Sequence, residues 1–134
     1  MGDATVYASD MYLLRLVKDM GFGVEIVNGV PSFCSAAARL QVSLGEREEQ
    51  IHILPGSYEI EEGLKLPGVK VLMKTGRSYG KVRELLMSGD YQVQMAENCG
   101  MEGEKLYRTR KELPEQAGYY SLMIVRDKKE QRDT

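Results

Sequence analysis

The 134-residue chain has one histidine and two cysteines, and that scarcity removes several chemistries at once. Cys34 and Cys99 stand far apart with no second cysteine near either, a spacing that suits neither a zinc site nor a disulfide framework. Two free thiols fit a reducing compartment, so the cytoplasm is the expected location. His52 sits inside an apolar segment, where its simplest role is that of a packed core or edge residue. No Ser/His/Asp set, no cluster of metal ligands and no phosphate-binding glycine loop is visible. No apolar run approaches the roughly 20 residues that cross a bilayer, and no basic stretch followed by an apolar one marks a secretion signal. The formal charge of −2 gives no reason for bulk nucleic-acid binding. Neither nucleic acid nor membrane is therefore an expected partner.

What is present is the balance of a globular protein, 43% hydrophobic and 28% charged, at a length that suits one domain. Met11, Leu13, Leu14, Leu16, Val17 and Met20 have helical spacing, which predicts a helix over 9–20 with Ser9 as N-cap and Gly21 as its stop. A short strand is expected at 24–27. The Ala-rich stretch 32–40 reads as a helix capped by Ser32. Strands are expected at 51–54 and 69–73, with a short helix within 58–66. A further helix is expected over 78–87, then strands at 91–97, 104–109 and 119–125. Residues 126–134 are almost wholly polar and read as a frayed tail. There is no internal repeat and no linker. Helices and strands alternate early and strands cluster late, so the expected fold class is α/β. It would have a mixed β-sheet of about five strands flanked by helices. The apolar runs at 69–73 and 122–125 suit central strands.

Several short segments have a possible ligand-binding use beside an ordinary one. Gly2-Asp3 at a turn lets backbone approach a ligand and offers carboxylate acceptors, or is simply a turn with a cap. Gly29-Val30-Pro31-Ser32 puts helix-start amides at a strand-to-helix turn, as any capped helix does. Met73, where a strand turns into Lys74-Thr75-Gly76-Arg77, suits an adenine or thioether pocket or the core. Cys99 is more simply a buried thiol than a nucleophile. Lys74, Arg77, Lys81 and Arg83 form a cationic run that could hold carboxylates or be a solvated helix face. Glu97, Glu102 and Glu104, around Gly100 and Gly103, are acid–base candidates or solvated loop residues.

Taken together, four segments resemble the C-terminal half of the tetrapyrrole methylases. They are Gly2-Asp3-Ala4-Thr5-Val6-Tyr7, Gly29-Val30-Pro31-Ser32-Phe33 leading into Ala36-Ala37-Ala38-Arg39-Leu40, Val71-Leu72-Met73-Lys74, and Gly118-Tyr119-Tyr120-Ser121-Leu122-Met123-Ile124-Val125. The Met101-Glu102-Gly103-Glu104 segment and the Tyr-Ser-Leu strand resemble most the branch that methylates C20 of precorrin-2 or cobalt-precorrin-2 in cobalamin synthesis. Ala4 and Asn28 stand where the family usually has proline; neither change removes a polar contact group.

The resemblance implies that 1–126 form the C-terminal methylase domain, with 127–134 a charged tail and the N-terminal domain missing. Activity would then need the missing half. It implies S-adenosylmethionine as cofactor, in contact with Gly2, Asp3, Val6, Pro31, Ser32, Met73 and Cys99, with backbone help near Ser121 and Leu122. It implies a small-molecule tetrapyrrole substrate, whose acidic side chains we expect, on charge, near Arg77. It also implies a homodimer. The sulfonium needs no metal to activate it, and a proton must leave C20 after transfer. Glu97, Glu102 and Glu104 are candidates for taking it. Two alternatives stand beside this reading: a non-catalytic self-associating domain, and a superfamily member with another substrate.

Overall fold

The computed structural model describes residues 3–6, 10–56 and 59–128. Its centre is a five-stranded sheet built from β1 (Ile51–Pro55), β2 (Val69–Met73), β3 (Tyr91–Glu97), β4 (Lys105–Tyr107) and β5 (Ser121–Asp127). Their order across the sheet is β1-β2-β5-β3-β4. β1 and β2 are parallel; β2–β5, β5–β3 and β3–β4 are antiparallel. The sheet is therefore mixed, as the order of helices and strands predicts. β2 and the first five residues of β5 are buried throughout, which is why both are apolar on both faces apart from Lys70 and Ser121.

Alternation splits these central strands between two cores. Val71 pairs with Ile124 and Leu72 with Met123, so neighbouring residues face opposite sides of the sheet. One side holds Val71, Met73, Ala96, Leu122 and Ile124 against Ala36, Ala37 and Leu40 of α2 (Ser32–Leu40). The other holds Leu72, Val93, Met95, Met123 and Val125. Against them lie α3 (Ile60–Leu64) and α4 (Tyr79–Ser88), through Ile60, Leu64, Tyr79, Val82 and Leu86. His52 is half-buried on the edge strand β1, its ring paired with Gln50 at 3.0 Å.

The remaining helix, α1 (Asp10–Asp19), ends at Gly21 with φ +89°, the left-handed stop expected there. Ser9, Tyr7 and Tyr58 lie outside the described residues. Three expectations are corrected. Residues 24–27 form no strand: they are irregular and mostly exposed, because a β-branched run needs a neighbouring strand to bond. Ser32 is the first residue inside α2, and Pro31 occupies the cap position with no side-chain cap. Arg126 and Asp127 belong to β5 and not to a frayed tail. The Arg126 guanidinium donates to the Glu49 carboxylate at 3.2 Å through two nitrogens and to the Ser43 carbonyl.

β2 also holds a fully buried Lys70, whose amine donates to the carbonyls of Leu66 and Gly68 at 2.9 Å each. Those bonds, with Asp127 at 3.8 Å, offset the cost of burying its charge. Among the described residues, no helix is long and apolar enough to cross a membrane.

Candidate functional site

The sheet's strand directions bring four chain ends together. The C-terminal ends of parallel β1 and β2, the N-terminal end of β5 and the C-terminal end of β3 share one end of the sheet, since Met73 pairs with Leu122 and Glu97 with Ser121. Met73 and Leu122 lie there, nearly buried, in one apolar cluster with Ala36, Ala37 and Ala96. Phe33 from the start of α2 and the half-buried Cys99 pack against the same cluster.

Asp3 is joined to this end through the turn before α2. Its Oδ2 accepts from the Gly29 amide at 3.1 Å, and Oδ1 accepts from the Thr5 amide at 2.8 Å and the Thr5 hydroxyl at 2.5 Å. Those bonds, the Thr5 hydroxyl first, hold the Asp3 carboxyl below its ordinary range. Three of about four acceptor positions are thus in use, which leaves one for a ligand. Val6 closes the same turn, its amide bonded to the Asp3 carbonyl at 3.1 Å. Pro31 is half-buried and Ser32 exposed at the head of α2. The Ser121 hydroxyl is buried against the Thr75 hydroxyl at 3.3 Å, so Ser121 offers a ligand its backbone and not its side chain. Gly2 lies outside the described residues.

The three glutamates have different environments. Glu97 is half-buried at the end of β3; its Oε1 accepts from the Gly118 amide at 2.8 Å and its Oε2 from the Tyr107 hydroxyl at 3.3 Å. Glu104 meets the Arg39 guanidinium in a fork, both nitrogen-to-oxygen distances being 2.8 Å. The Arg39 hydrogen bond holds its carboxyl below the usual range, against a smaller upward push from burial. Burial, then the Glu104 charge, pushes the Cys99 thiol up, which suits a packing role and not a nucleophile. Glu102 is exposed on the 98–104 hairpin.

The cationic run does not form one strip. Arg77 lies exposed in a 3-10 turn directly beyond the site end of β2. Lys81 and Arg83 are two positions apart on α4 and so point about 200° apart around its axis. Lys81 is exposed, while Nε of Arg83 is buried without a hydrogen-bond partner among the described residues.

Two features were not foreseen. Arg39 and Glu104 are 65 positions apart, and nothing local in either segment points to the other. Gly56 lies against the backbone of Lys74 and Thr75 just beyond Met73, where an added Cβ would meet the Lys74 carbonyl oxygen at 2.0 Å. The Pro55-Gly56 pair reads as a strand end, but not as a close approach. This set of groups suits an adenosyl moiety. Met73, Leu122 and the Ala36–Ala37 wall provide an apolar surface, Asp3 a spare acceptor for a hydroxyl, and the head of α2 backbone amides.

The family model for Tetrapyrrole (Corrin/Porphyrin) Methylases matches residues 1–114. A Methanocaldococcus jannaschii protein named probable cobalt-precorrin-2 C(20)-methyltransferase is 32% identical over 106 residues, 79% of this chain and 46% of that protein. The cobalamin biosynthesis protein CobIJ of Mycobacterium bovis is 34% identical over 108 residues, 74% of this chain and 21% of that protein. The chain thus spans about half the length, or less, of these curated relatives. Among solved structures, the cobalt precorrin-4 methyltransferase CbiF matches with a TM-score of 0.75 at 20% identity, covering 93% of this chain and 61% of that one. Uroporphyrin-III C-methyltransferase from Thermus thermophilus, complexed with S-adenosylhomocysteine, matches with a TM-score of 0.70 at 16% identity, covering 93% and 62%. At those identities the structural likeness speaks for the fold.

Proposed function

This chain belongs to the tetrapyrrole methylases, and on that premise we propose that it is the C-terminal half of an enzyme methylating C20 of precorrin-2 or cobalt-precorrin-2 in cobalamin synthesis. The family's methyl donor is S-adenosylmethionine, which supplies an electrophilic methyl group on a sulfonium. The observation that carries the reading is the convergence of Met73, Leu122, Cys99 and the head of α2 on one sheet end, with Asp3 tied to that head through Gly29. The C20 position is supported by the archaeal relative and by the Met101-Glu102-Gly103-Glu104 segment.

In this reading Met73 and Leu122 wall the adenine, Pro31 and Ser32 close over it, and the free acceptor on Asp3 takes a ribose hydroxyl. The contribution of these residues is orientation. Backbone at Ser121 and Leu122 lines the floor. Arg77 holds a substrate carboxylate, and the proton leaving C20 passes to a hairpin carboxylate. Of the three candidates, Glu102 is the one whose carboxylate is uncommitted. Glu97 and Glu104 are committed to Gly118, Tyr107 and Arg39, whereas Glu102 has no bonded partner among the described residues. Turnover requires the N-terminal half. The two free thiols favour a cytoplasmic setting.

The test is a titration of S-adenosylhomocysteine into this chain, followed by amide NMR. Shifts at Asp3, Ser32, Met73 and Cys99 are expected; shifts elsewhere, or none at millimolar ligand, would overturn the site. A second reading, a self-associating domain without catalysis, is favoured by the exposed Tyr12, Leu13, Leu16, Met20, Phe22, Val27 and Val30. The two differ in binding and not in assembly: that reading expects a stable oligomer in sedimentation and no response to the ligand in the titration. The homodimer implied by family resemblance uses the same surface while still binding ligand.

A further inference from the structure

The 98–104 hairpin between β3 and β4 is a poor candidate for holding its own shape. Asn98, Gly100 and Gly103 all take left-handed backbone, with φ of +54°, +75° and +83°. Within it, the Met101 amide bonds the Asn98 carbonyl at 2.9 Å. Its base is tied to β5 where the Asn98 amide bonds the Tyr120 carbonyl at 2.9 Å. Glu104 gathers the rest: beyond the dominant pull of Arg39, the Gly100 amide and the Cys99 thiol lie against its carboxyl and add smaller pulls that lower it. The same carboxylate takes both prongs of Arg39, which lies in the last turn of α2. Planar guanidinium–carboxylate forks fix orientation as well as distance.

α2 is a rigid rod of nine residues, and Arg39 lies about 10 Å along it from Ser32 at ~1.5 Å per residue. One end of that rod therefore carries the Pro31–Ser32 turn and the other the partner of the hairpin that bears Cys99. We infer that the Arg39–Glu104 fork is a positioning device that sets the gap between the head of α2 and the Cys99 hairpin, and so the width of the cofactor cleft. This rests on the cofactor reading above. Arg39 and Glu104 touch no reacting atom in it; they act through Cys99 and the turn. Arg39 is largely exposed, so the fork adds little to global stability, and its effect falls on local geometry.

The experiment compares the parent chain with Arg39→Gln and Arg39→Lys. Three quantities are read: the thermal midpoint, hydrogen exchange at the Gly100 amide, and the dissociation constant of S-adenosylhomocysteine. Arg39→Gln should leave the midpoint nearly unchanged, speed Gly100 exchange, and weaken the ligand by roughly two- to fivefold, the range a mostly exposed pair provides. Arg39→Lys keeps the charge without the fork and should fall between. Unchanged affinity in Arg39→Gln overturns the inference, whether or not Gly100 exchange rises, because the hairpin would then be ordered without setting the cleft. A parent chain that binds no ligand overturns the cofactor reading and the cleft role with it. In that case faster Gly100 exchange in Arg39→Gln would still show that the fork orders the hairpin.

Discussion

Ile124 and Met123 are adjacent, fully buried and on opposite faces of the central strand β5, so truncating each separates the two cores. Ile124→Ala empties a site beneath α2, against Val71, Ala36 and Ala37. Loss of a buried Ile or Met to Ala costs about 2–5 kcal/mol, and the rigid sheet around Ile124 leaves little room to collapse, so ~3 kcal/mol is the working figure. At about 2.1 cal/mol/K per residue, the unfolding entropy of a 134-residue chain is roughly 0.28 kcal/mol/K, and the midpoint falls by about 10 °C. The chain has no tryptophan, so far-UV circular dichroism under heat and urea is the assay. Met123→Ala should lose a similar amount from the α3/α4 side with the urea slope unchanged. The two variants should differ in S-adenosylhomocysteine affinity at equal folded fraction. Ile124→Ala loosens the helix that carries Pro31 and Ser32 and should bind more weakly, while Met123→Ala should bind as the parent does. A loss below about 1 kcal/mol for Ile124→Ala would refute the claim that α2 seals that face. Equal affinities in both variants would refute the dependence of the site on α2 packing.

Gly56→Ala forces a Cβ to 2.0 Å from the Lys74 carbonyl oxygen and 2.8 Å from the Thr75 Cα, backbone that has no rotamer to give; urea unfolding should show a loss of about 1–3 kcal/mol or more. Arg126→Ala strands the Glu49 carboxylate, whose side chain is only 18% exposed, and should cost about 2 kcal/mol. A loss under about 0.5 kcal/mol would mean that β5 is not anchored beyond Val125. The Asp3 carboxyl is held below the ordinary 3.8 by Thr5 and Gly29, so its contribution is complete above the unfolded value and disappears as pH falls through the lowered folded one. The Gly29 amide shift should therefore titrate with a midpoint below 3.8; a midpoint at or above 3.8 would refute the tie.

How much of this was legible in the sequence depends on whether a feature is local. β2 was legible because Val69, Val71, Leu72 and Met73 are apolar on both faces, and Lys70 hides in the run by donating to carbonyls two and four residues away. The run at 24–27 is also rich in β-branched residues but has no strand beside it, so propensity alone misplaces it. The polar character of Arg126 and Asp127 suggested a tail, yet Arg126 finds Glu49 across 77 positions. The candidate site segments each have an ordinary use on physical grounds, and only their conjunction as family motifs makes them legible as a site. What the sequence could not supply was the strand order that puts Met73 beside Leu122 and Glu97 beside Ser121. The Arg39–Glu104 fork is invisible for the same reason.

The sheet's two ends carry different chemistry, and the difference bears on the proposed site. At the far end, the start of β2 and the end of β5, lie Lys70 with Asp127, and Arg126 with Glu49 and Ser43. Those bonds tie the far end together. At the site end, two neighbours of β5 leave the sheet through left-handed non-glycine residues: Lys74 directly after Met73 and Asn98 directly after Glu97, each with φ +54°. Such backbone is uncommon for lysine and costs on the order of 1–2 kcal/mol. It persists only where surrounding contacts over-determine it, as functional sites often do. Here those contacts are the Thr75–Ser121 hydroxyl pair, the Asn98–Tyr120 amide bond and the Glu97–Gly118 bond, all crossing from β2 or β3 to the start of β5. Gln41 and Arg47 take left-handed backbone as well, with φ of +57° and +55°, so such turns do not by themselves mark a site; what sets Lys74 and Asn98 apart is that both stand beside the residues proposed to hold a ligand.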